Sequence, residues 1–296
     1  MKLTKIHRVL SFHQSAWLKP YIDFNTERRK QAKNDFEKDF FKLLNNSVFG
    51  KTMENLRKHV TVELVVKEER LRKCMAKPNV KSFKIFDENL VAINLTKNKL
   101  VLNRPIYVGQ AILDISKTLM YNFHYSYIKP KYGSNAKLLF TDTDSLCYQI
   151  KTADLYVDMQ EDRHRFDTGN YPENHPLFSN VNKKVLGKFK DELESIPAKE
   201  FVGLKPKMYS LDWGKTGKRV AKGVNRGVIK RELKHTLYKD CLLKKRIMTH
   251  NMYRIQSHKH QLSTVKINKI SLSPYDDKRY FLNEKESYAY GHYKIV

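Results

Sequence analysis

The sequence predicts an α+β fold, and three patterns predict it. Apolar residues recur at three- and four-residue steps over about 25–48 and again over 103–128, the period of a helix with one packed face. Val60, Val62, Leu64 and Val66 recur at every second position, the period of a strand. Two apolar runs, Leu138-Leu139-Phe140 and Leu146-Cys147-Tyr148-Gln149-Ile150, flank a polar tip, Thr141-Asp142-Thr143-Asp144-Ser145, which reads as a β-hairpin.

Composition bounds the rest. A chain of 296 residues is long enough for about two or three domains. Lysine and arginine number 57 against 31 acidic residues, a net charge of +26, which points to a polyanionic partner. The excess is uneven. It is largest over 201–296, present over 1–60 and reversed over 141–200, a block that opens at the paired aspartates. A ribosomal or chromatin type of binder would explain the charge more simply, but such chains seldom interrupt it with an acidic hairpin. Cys74, Cys147 and Cys241 lie far apart without CxxC spacing, so neither a zinc site nor a disulfide framework is expected. No window approaches the ~20 apolar residues of a membrane span, and the first residues lack the apolar core of a signal peptide. The expectation is an intracellular protein with no membrane partner, nucleus or cytoplasm being left open.

In chain order, Leu10, Phe12, Trp17, Tyr21 and Ile22 precede any element they could pack on. Either they dock on later parts or the chain belongs to something longer. Asn25-Thr26 opens a helix, with Glu27 in its first turn, that runs to about Val48. Ala32, Phe36, Phe40, Leu43 and Leu44 form its expected packed stripe; Lys30, Lys38, Lys42, Asn46 and Phe49 form a second face. Ser82 to Leu95 reads as a hairpin around Asp87-Glu88-Asn89, and Lys99 to Leu102 as another extended piece. Pro105 opens a helix whose face Gly109, Leu113, Ser116, Met120, Phe123 and Tyr127 is expected in the core. Thr152 to Gln160 is a short helix, and Glu161 to Asn182 a polar loop with solvated His164 and His175. Val185 to Glu192 and Phe201 to Trp213 read as strands that continue the hairpin's sheet, with Lys188, Lys190, Lys205 and Lys207 as a basic row. Gly214 to Lys218 is a turn without Walker A spacing. A helix follows over Arg226 to Leu243, and Val265, Ile267 and Ile270 mark strands after Tyr253.

Two stretches carry chemistry. Alternate residues of a tight hairpin share a side, so Asp142 and Asp144 can address one spot. Two anions that close repel unless a cation lies between them, and Mg²⁺ takes one or two carboxylates beside water and phosphate oxygens. The plain alternative is a turn, because Asp, Thr and Ser favour turns. The second stretch is Lys42-Leu43-Leu44-Asn45-Asn46-Ser47-Val48-Phe49-Gly50, with an ammonium, an amide, a hydroxyl and a ring on neighbouring positions. A nucleoside triphosphate needs such a set; a solvated helix face is the plain reading.

Lys42-x-x-x-Asn46-Ser47-x-Phe49-Gly50 resembles the fingers motif of family B DNA polymerases, KxxxNSxYG. Thr141-Asp142-Thr143-Asp144-Ser145 is similar to their palm motif, YxDTDS, and Lys207-Met208-Tyr209 to their later KxY motif. The three stand in the family's order, and the wording around them is closest to the protein-primed branch of self-synthesising transposons, adenoviruses and linear plasmids. The resemblance covers about residues 1–245. It implies a polymerase palm with an antiparallel sheet and packed helices, a helical fingers segment and a mixed thumb. The chain then divides into 1–60 (fingers), 61–103 (a β insertion, either a strand-displacement element or plain decoration), 104–213 (palm) and 214–296 (thumb and tail).

The resemblance also implies roles. Asp142 and Asp144 would be the catalytic, metal-binding carboxylates for two Mg²⁺ ions. Lys30, Lys38, Lys42, Asn46, Ser47, Phe49 and Gly50 would hold the deoxynucleoside triphosphate. Lys205, Lys207, Tyr209, Lys222 and Lys230 would grip the DNA template-primer, with Arg231 and Lys234 near its backbone. A terminal protein primer, or an N-terminal polymerase part, would be a further partner. Phe49 departs from the usual tyrosine, losing a hydroxyl and keeping the ring, and Phe140-Thr141 stands where that motif opens with tyrosine. No DxxSLYP stretch supplies the third carboxylate, and Asp23 lacks its context. The exonuclease motifs are missing as well. Little or no synthesis by this chain alone is therefore expected. The other classes of reading are a non-catalytic, transposon-derived DNA-binding remnant and a Mg²⁺ nuclease.

Overall fold

The computed structural model describes residues 4–193, 195–214, 217–258, 261–283 and 286–295. The N-terminal Met1-Lys2-Leu3 and the centre of the Gly214 to Lys218 turn, Lys215-Thr216, lie outside the described residues. The elements in order are α1 (Lys19–Gln31), α2 (Asp35–Thr52), β1 (Thr61–Val65), α3 (Glu68–Met75), β2 (Val80–Asp87), β3 (Leu90–Leu95) and α4 (Ile106–Asn122). A π-helical stretch, Phe123–Ile128, carries α4 into α5 (Lys129–Tyr132). Then come β4 (Ala136–Asp142), β5 (Ser145–Ile150), α6 (Leu155–Glu161), β6 (Phe166–Asp167), β7 (Phe189–Lys190), β8 (Glu200–Lys205), β9 (Met208–Asp212) and β10 (Gly217–Ala221). The chain finishes with α7 (Arg226–Arg231), α8 (His235–Leu243), β11 (Met248–His258), β12 (Gln261–Leu272), β13 (Arg279–Phe281) and β14 (Ser287–Ala289). The class is α+β, with several small antiparallel sheets.

The chain folds as two units. The first comprises Met1–Thr61, Leu95–Gly169 and Ser179–Phe189. Its helices α1 and α2 are separate, where the sequence predicted one helix. Asn34 is the reason: its Oδ1 accepts from the Glu37 N–H at 2.9 Å, and the Glu37 carboxylate accepts in return from Asn34 Nδ2 at 3.0 Å, and from the Lys33 N–H at 3.0 Å. That is a reciprocal cap, which starts a helix afresh. Asn25, expected as a helix start, sits inside α1 and is 1% exposed. The packed face of α2 is also turned from the expected one. Phe36 is 78% exposed and Leu43 63%, while Phe41, Leu44, Val48 and Thr52 are the covered positions.

Helix α4 meets the end of α2 at Gly109. A Cβ there would run into the Met53 side chain and lie 2.7 Å from Thr52 Oγ1, so any other residue would force that contact to shift. Arg104 closes the same joint, donating from Nε and Nη2 to Glu54 Oε2 at 3.0 and 2.8 Å. The guanidinium, with Lys51 and His59 beside it, holds the Glu54 carboxyl at about 2. The predicted core face of α4 packs as expected, Gly109, Met120 and Tyr127 being buried.

The second unit comprises Val62–Asn94, Asn170–Phe178 and Lys190–Val296. Strands β8, β9 and β10 make their own antiparallel sheet, in the order β10-β9-β8, and do not extend the β4–β5 pair. This corrects the expectation of one continuous sheet. Val185 to Lys188 is not extended either; only Phe189–Lys190 is strand, because Gly187 takes φ +81° in a turn. Lys99 to Leu102 forms no strand. The helix expected over Arg226 to Leu243 breaks into α7 and α8 around Leu233, which is 0% exposed. Leu233, Tyr238, Cys241, Val202, Met252 and Leu272 form the centre of this unit's core. Each fully buried side chain of that size contributes about 1.5–3 kcal/mol. Strand β3 pairs with both β1 and β2. Glu63 of β1 accepts from Lys77 and Arg70, at 2.7 and 3.1 Å, around helix α3. His175, expected in solvent, is half-covered: its Nδ1 accepts from the Leu177 N–H at 3.1 Å, and its ring meets Tyr171.

Candidate functional site

The hairpin forms where the sequence placed it. Strands β4 and β5 pair antiparallel with Asp142 opposite Ser145, so Thr143 and Asp144 alone make the connection. The Asp144 N–H donates to the Asp142 carbonyl at 2.6 Å, and Thr143 between them has φ +51°. This is a three-residue γ-turn of the rare, strained kind. The Thr143 hydroxyl donates to Asp142 Oδ1 at 3.4 Å, and the Ser145 hydroxyl to the Asp142 carbonyl at 3.2 Å. Asp142 is half-buried and Asp144 exposed, with no ion-pair partner for Asp144 among the described residues.

Two features hold the hairpin in place. Its register shifts at Leu139, between the pairs Leu138 with Tyr148 and Phe140 with Cys147, and such a bulge sharpens the local twist. Tyr148 of β5 stacks on His124 with ring centroids 5.8 Å apart, and His124 Nδ1 lies 3.0 Å from its hydroxyl. Burial pushes the Tyr148 phenol up to about 12. His124 belongs to the π-helical stretch, a rare conformation frequent at functional sites. Phe123, beside it, stacks on Phe189 at 3.8 Å. Sequence reasoning did not single out His124 or Tyr148; the aromatic density of Phe123-His124-Tyr125-Ser126-Tyr127 was the available signal.

The helical candidates lie in the same unit as the aspartates. Lys42 and Asn46 are exposed along α2, and Lys42 has no ion-pair partner among the described residues. Lys38 pairs with Asp35 at 3.1 Å and Lys30 with Glu27 at 3.8 Å. The Ser47 hydroxyl donates to the Leu44 carbonyl at 2.8 Å, within its own helix. Phe49 is half-buried, and Gly50 has open space where a side chain would stand.

The remaining candidates lie in the second unit. Lys207 occupies the β8–β9 turn at φ +60°, and its carbonyl accepts from the Lys222 N–H at 2.9 Å. Those two lysines therefore share one end of the sheet. Lys205 Nζ donates to the Tyr275 carbonyl at 3.4 Å. Lys230 is exposed on α7. Tyr209 is only 8% exposed, its ring tilted against Phe201, which gives it a packing role in the sheet.

One other arrangement is a candidate on chemistry alone. Ser210, His235 and Glu200 stand in line, with Ser210 Oγ 2.8 Å from His235 Nδ1 and His235 Nε2 3.2 Å from Glu200 Oε2. Ser210 is 0% exposed, so no substrate reaches its oxygen, and the line works as a strut between β9, α8 and β8. Among the described residues no group of three or more His, Cys, Asp and Glu side chains gathers as metal ligands. The donors at the hairpin are two carboxylates, hard oxygens of the kind that Mg²⁺ accepts, and Asp142 and Asp144 are the residues that would hold such an ion.

Among the described residues no helix is long and apolar enough to cross a membrane. Comparison of the chain with protein-family models, with curated proteins and with solved structures gives no match.

Proposed function

We propose that the chain carries the nucleotide- and metal-binding part of a DNA-directed DNA polymerase of the protein-primed, family B kind. The observation that carries this reading is the strained turn between Asp142 and Asp144. A non-glycine residue held at positive φ costs on the order of 1–3 kcal/mol, and Thr143, with its branched Cβ, is ill suited to the position. A turn serving only to reverse the chain would take glycine or asparagine there. What the strain secures is a pair of carboxylates two residues apart, with the Thr143 hydroxyl on the Asp142 carboxylate and the Ser145 hydroxyl on the Asp142 backbone carbonyl.

In this reading Asp142 and Asp144 hold Mg²⁺, which when bound neutralises phosphate charge and activates the primer hydroxyl. Lys42 and Asn46 meet the incoming deoxynucleoside triphosphate, and Phe49 offers its ring edge. Lys207, Lys222 and Lys230 take backbone phosphates without reading bases. The second reading, a DNA-binding protein without catalysis, is favoured by the lack of a third carboxylate at the hairpin among the described residues. Both readings expect DNA binding, and they part on Asp144.

The test is Mg²⁺-dependent binding of a deoxynucleoside triphosphate by calorimetry, beside primer extension with the full chain. The polymerase reading expects binding that weakens tenfold or more in Asp144→Asn and in Lys42→Ala. It expects extension by this chain alone to be weak or absent, and whatever there is to vanish in Asp144→Asn. Nucleotide binding indifferent to Mg²⁺ and to both substitutions would sink it.

A further inference from the structure

The C-terminal hairpin carries aromatic rings that nothing in the polymerase site uses. All of it lies in the second unit. Strands β13 and β14 set Tyr280 opposite Tyr288 and Phe281 opposite Ser287. Arg279 clamps the pair, donating from Nε to Ser287 Oγ at 2.8 Å and from Nη2 to the Ser287 carbonyl at 2.7 Å. Beyond β14 the chain turns twice. The His292 N–H donates to the Ala289 carbonyl at 3.1 Å, and the Ile295 N–H to the His292 carbonyl at 2.9 Å. Gly291 takes φ +82° in the first of these turns, which glycine does without strain. His292 is thereby brought onto Tyr288, with ring centroids 4.5 Å and planes 15° apart. Tyr293 follows on His292 at 4.6 Å and 31°. His292 Nδ1 accepts from the Lys294 N–H at 3.2 Å, which fixes the middle ring.

Three rings therefore stand in a row, and the row has an open end. Tyr288 and His292 are half-buried, but Tyr293 is 83% exposed, so its outer face meets water. On the same hairpin Tyr290 is 64% exposed and Phe281 53%. Holding the turn together accounts for Tyr288 and His292. It does not account for Tyr293, whose ring gains little from burial where it stands. Local charge decides what the row fits. Lys278, Arg279 and Lys294 are matched by Asp276, Asp277 and Glu286, so phosphates meet no net attraction at the rings. The chain as a whole carries +26 and draws polyanions to its surface. A polyanion that also offers flat π faces is a nucleic-acid strand, and its bases offer those faces only where they are unpaired.

We infer that the Tyr288, His292 and Tyr293 row, with Tyr290, is a stacking platform for the unpaired bases of a single nucleic-acid strand. A base laid on Tyr293 continues the row, and any base serves, because every base has a π face. The platform needs neither Mg²⁺ nor Asp144, so it stands or falls apart from the polymerase reading.

The experiment measures fluorescence anisotropy with the full chain and a labelled oligodeoxythymidine. The control is an abasic oligomer of the same length and charge, at a salt concentration that suppresses phosphate contacts. Wild type is expected to bind oligodeoxythymidine at least tenfold more tightly than the abasic oligomer. Tyr293→Leu keeps apolar bulk and removes the ring at an exposed position. It should weaken oligodeoxythymidine binding about tenfold. It should leave the abasic oligomer and the melting temperature unchanged. Tyr293→Trp should restore the loss, which a purely structural role for the side chain would not predict. Oligouridine in the same assay identifies the strand: binding of either oligomer that needs both its bases and the Tyr293 ring supports the platform. Equal affinity for oligomers with and without bases overturns it, and so does base-dependent binding that Tyr293→Leu leaves intact.

Discussion

Thr143 joins a branched side chain to a φ of +51°, and the two conflict. Replacing it by glycine removes a strain on the order of 1–3 kcal/mol and adds about 0.5–1 kcal/mol of chain entropy cost. Thr143→Gly should therefore melt at the same temperature or slightly higher, by about 1 kcal/mol of stability in thermal unfolding. The same change removes the hydroxyl that donates to Asp142 Oδ1 and frees the turn to sample other shapes. Mg²⁺-dependent nucleotide binding should weaken several-fold as stability rises. Loss of both together would mean that the turn serves the fold alone. The paired aspartates were legible in the sequence because a hairpin tip needs only local pattern to recognise. The γ-turn was not, since nothing in Asp-Thr-Asp distinguishes a two-residue loop with φ positive at one position from an ordinary turn.

At the scale of elements, helix α2 shows where legibility ended. Its existence and its end near Gly50 were readable, but its start and its rotation were not. The Asn34-x-x-Glu37 cap was visible in the letters, yet the apolar period ran across it from Ala32 and suggested one long helix. With Phe36, Phe40, Phe41, Leu43 and Leu44 close together, two neighbouring stripes satisfy the same period. The choice between them is made by α1, which bonds to Leu44 and Asn45 through Tyr21 and Thr26, and by α4, through the contact of Gly109 with Thr52 and Met53, neither of which a local pattern contains. Gly109→Ala should accordingly cost about 1–3 kcal/mol by overpacking, read in chemical denaturation. The Arg104 to Glu54 pair at that joint predicts a pH dependence. Its carboxyl sits at about 2 when folded, below the ordinary value of 4.5. A depressed carboxyl contributes stability above its unfolded value and loses it as pH falls through its folded value. The melting temperature of wild type should thus exceed that of Glu54→Gln at neutral pH, and the gap should close between about pH 4.5 and 2. A gap that persists at low pH would show that the Arg104 ion pair is not what holds the joint.

For the whole molecule the governing quantity is charge. A net +26 on 296 residues opposes compaction through self-repulsion, which a bound polyanion relieves. The charge was legible from composition, and so was its concentration towards the C-terminus; where the lysines converge was not, because convergence depends on strand register. Ala221 pairs with Met208, and that register sets Lys222 beside Lys207 at one end of the β8–β9–β10 sheet. If these side chains meet phosphates, association with duplex DNA should be indifferent to sequence and steeply dependent on salt. Each phosphate neutralised contributes a slope of about −0.9 in log affinity against log salt concentration. Wild type should show a slope of about −5 or steeper, on the expectation of six or more contacts. Lys207→Ala and Lys222→Ala should each make that slope shallower by about 1 and weaken binding uniformly across unrelated sequences. A slope near zero, or a loss of affinity confined to one sequence, would assign the basic excess to some other partner than the DNA backbone.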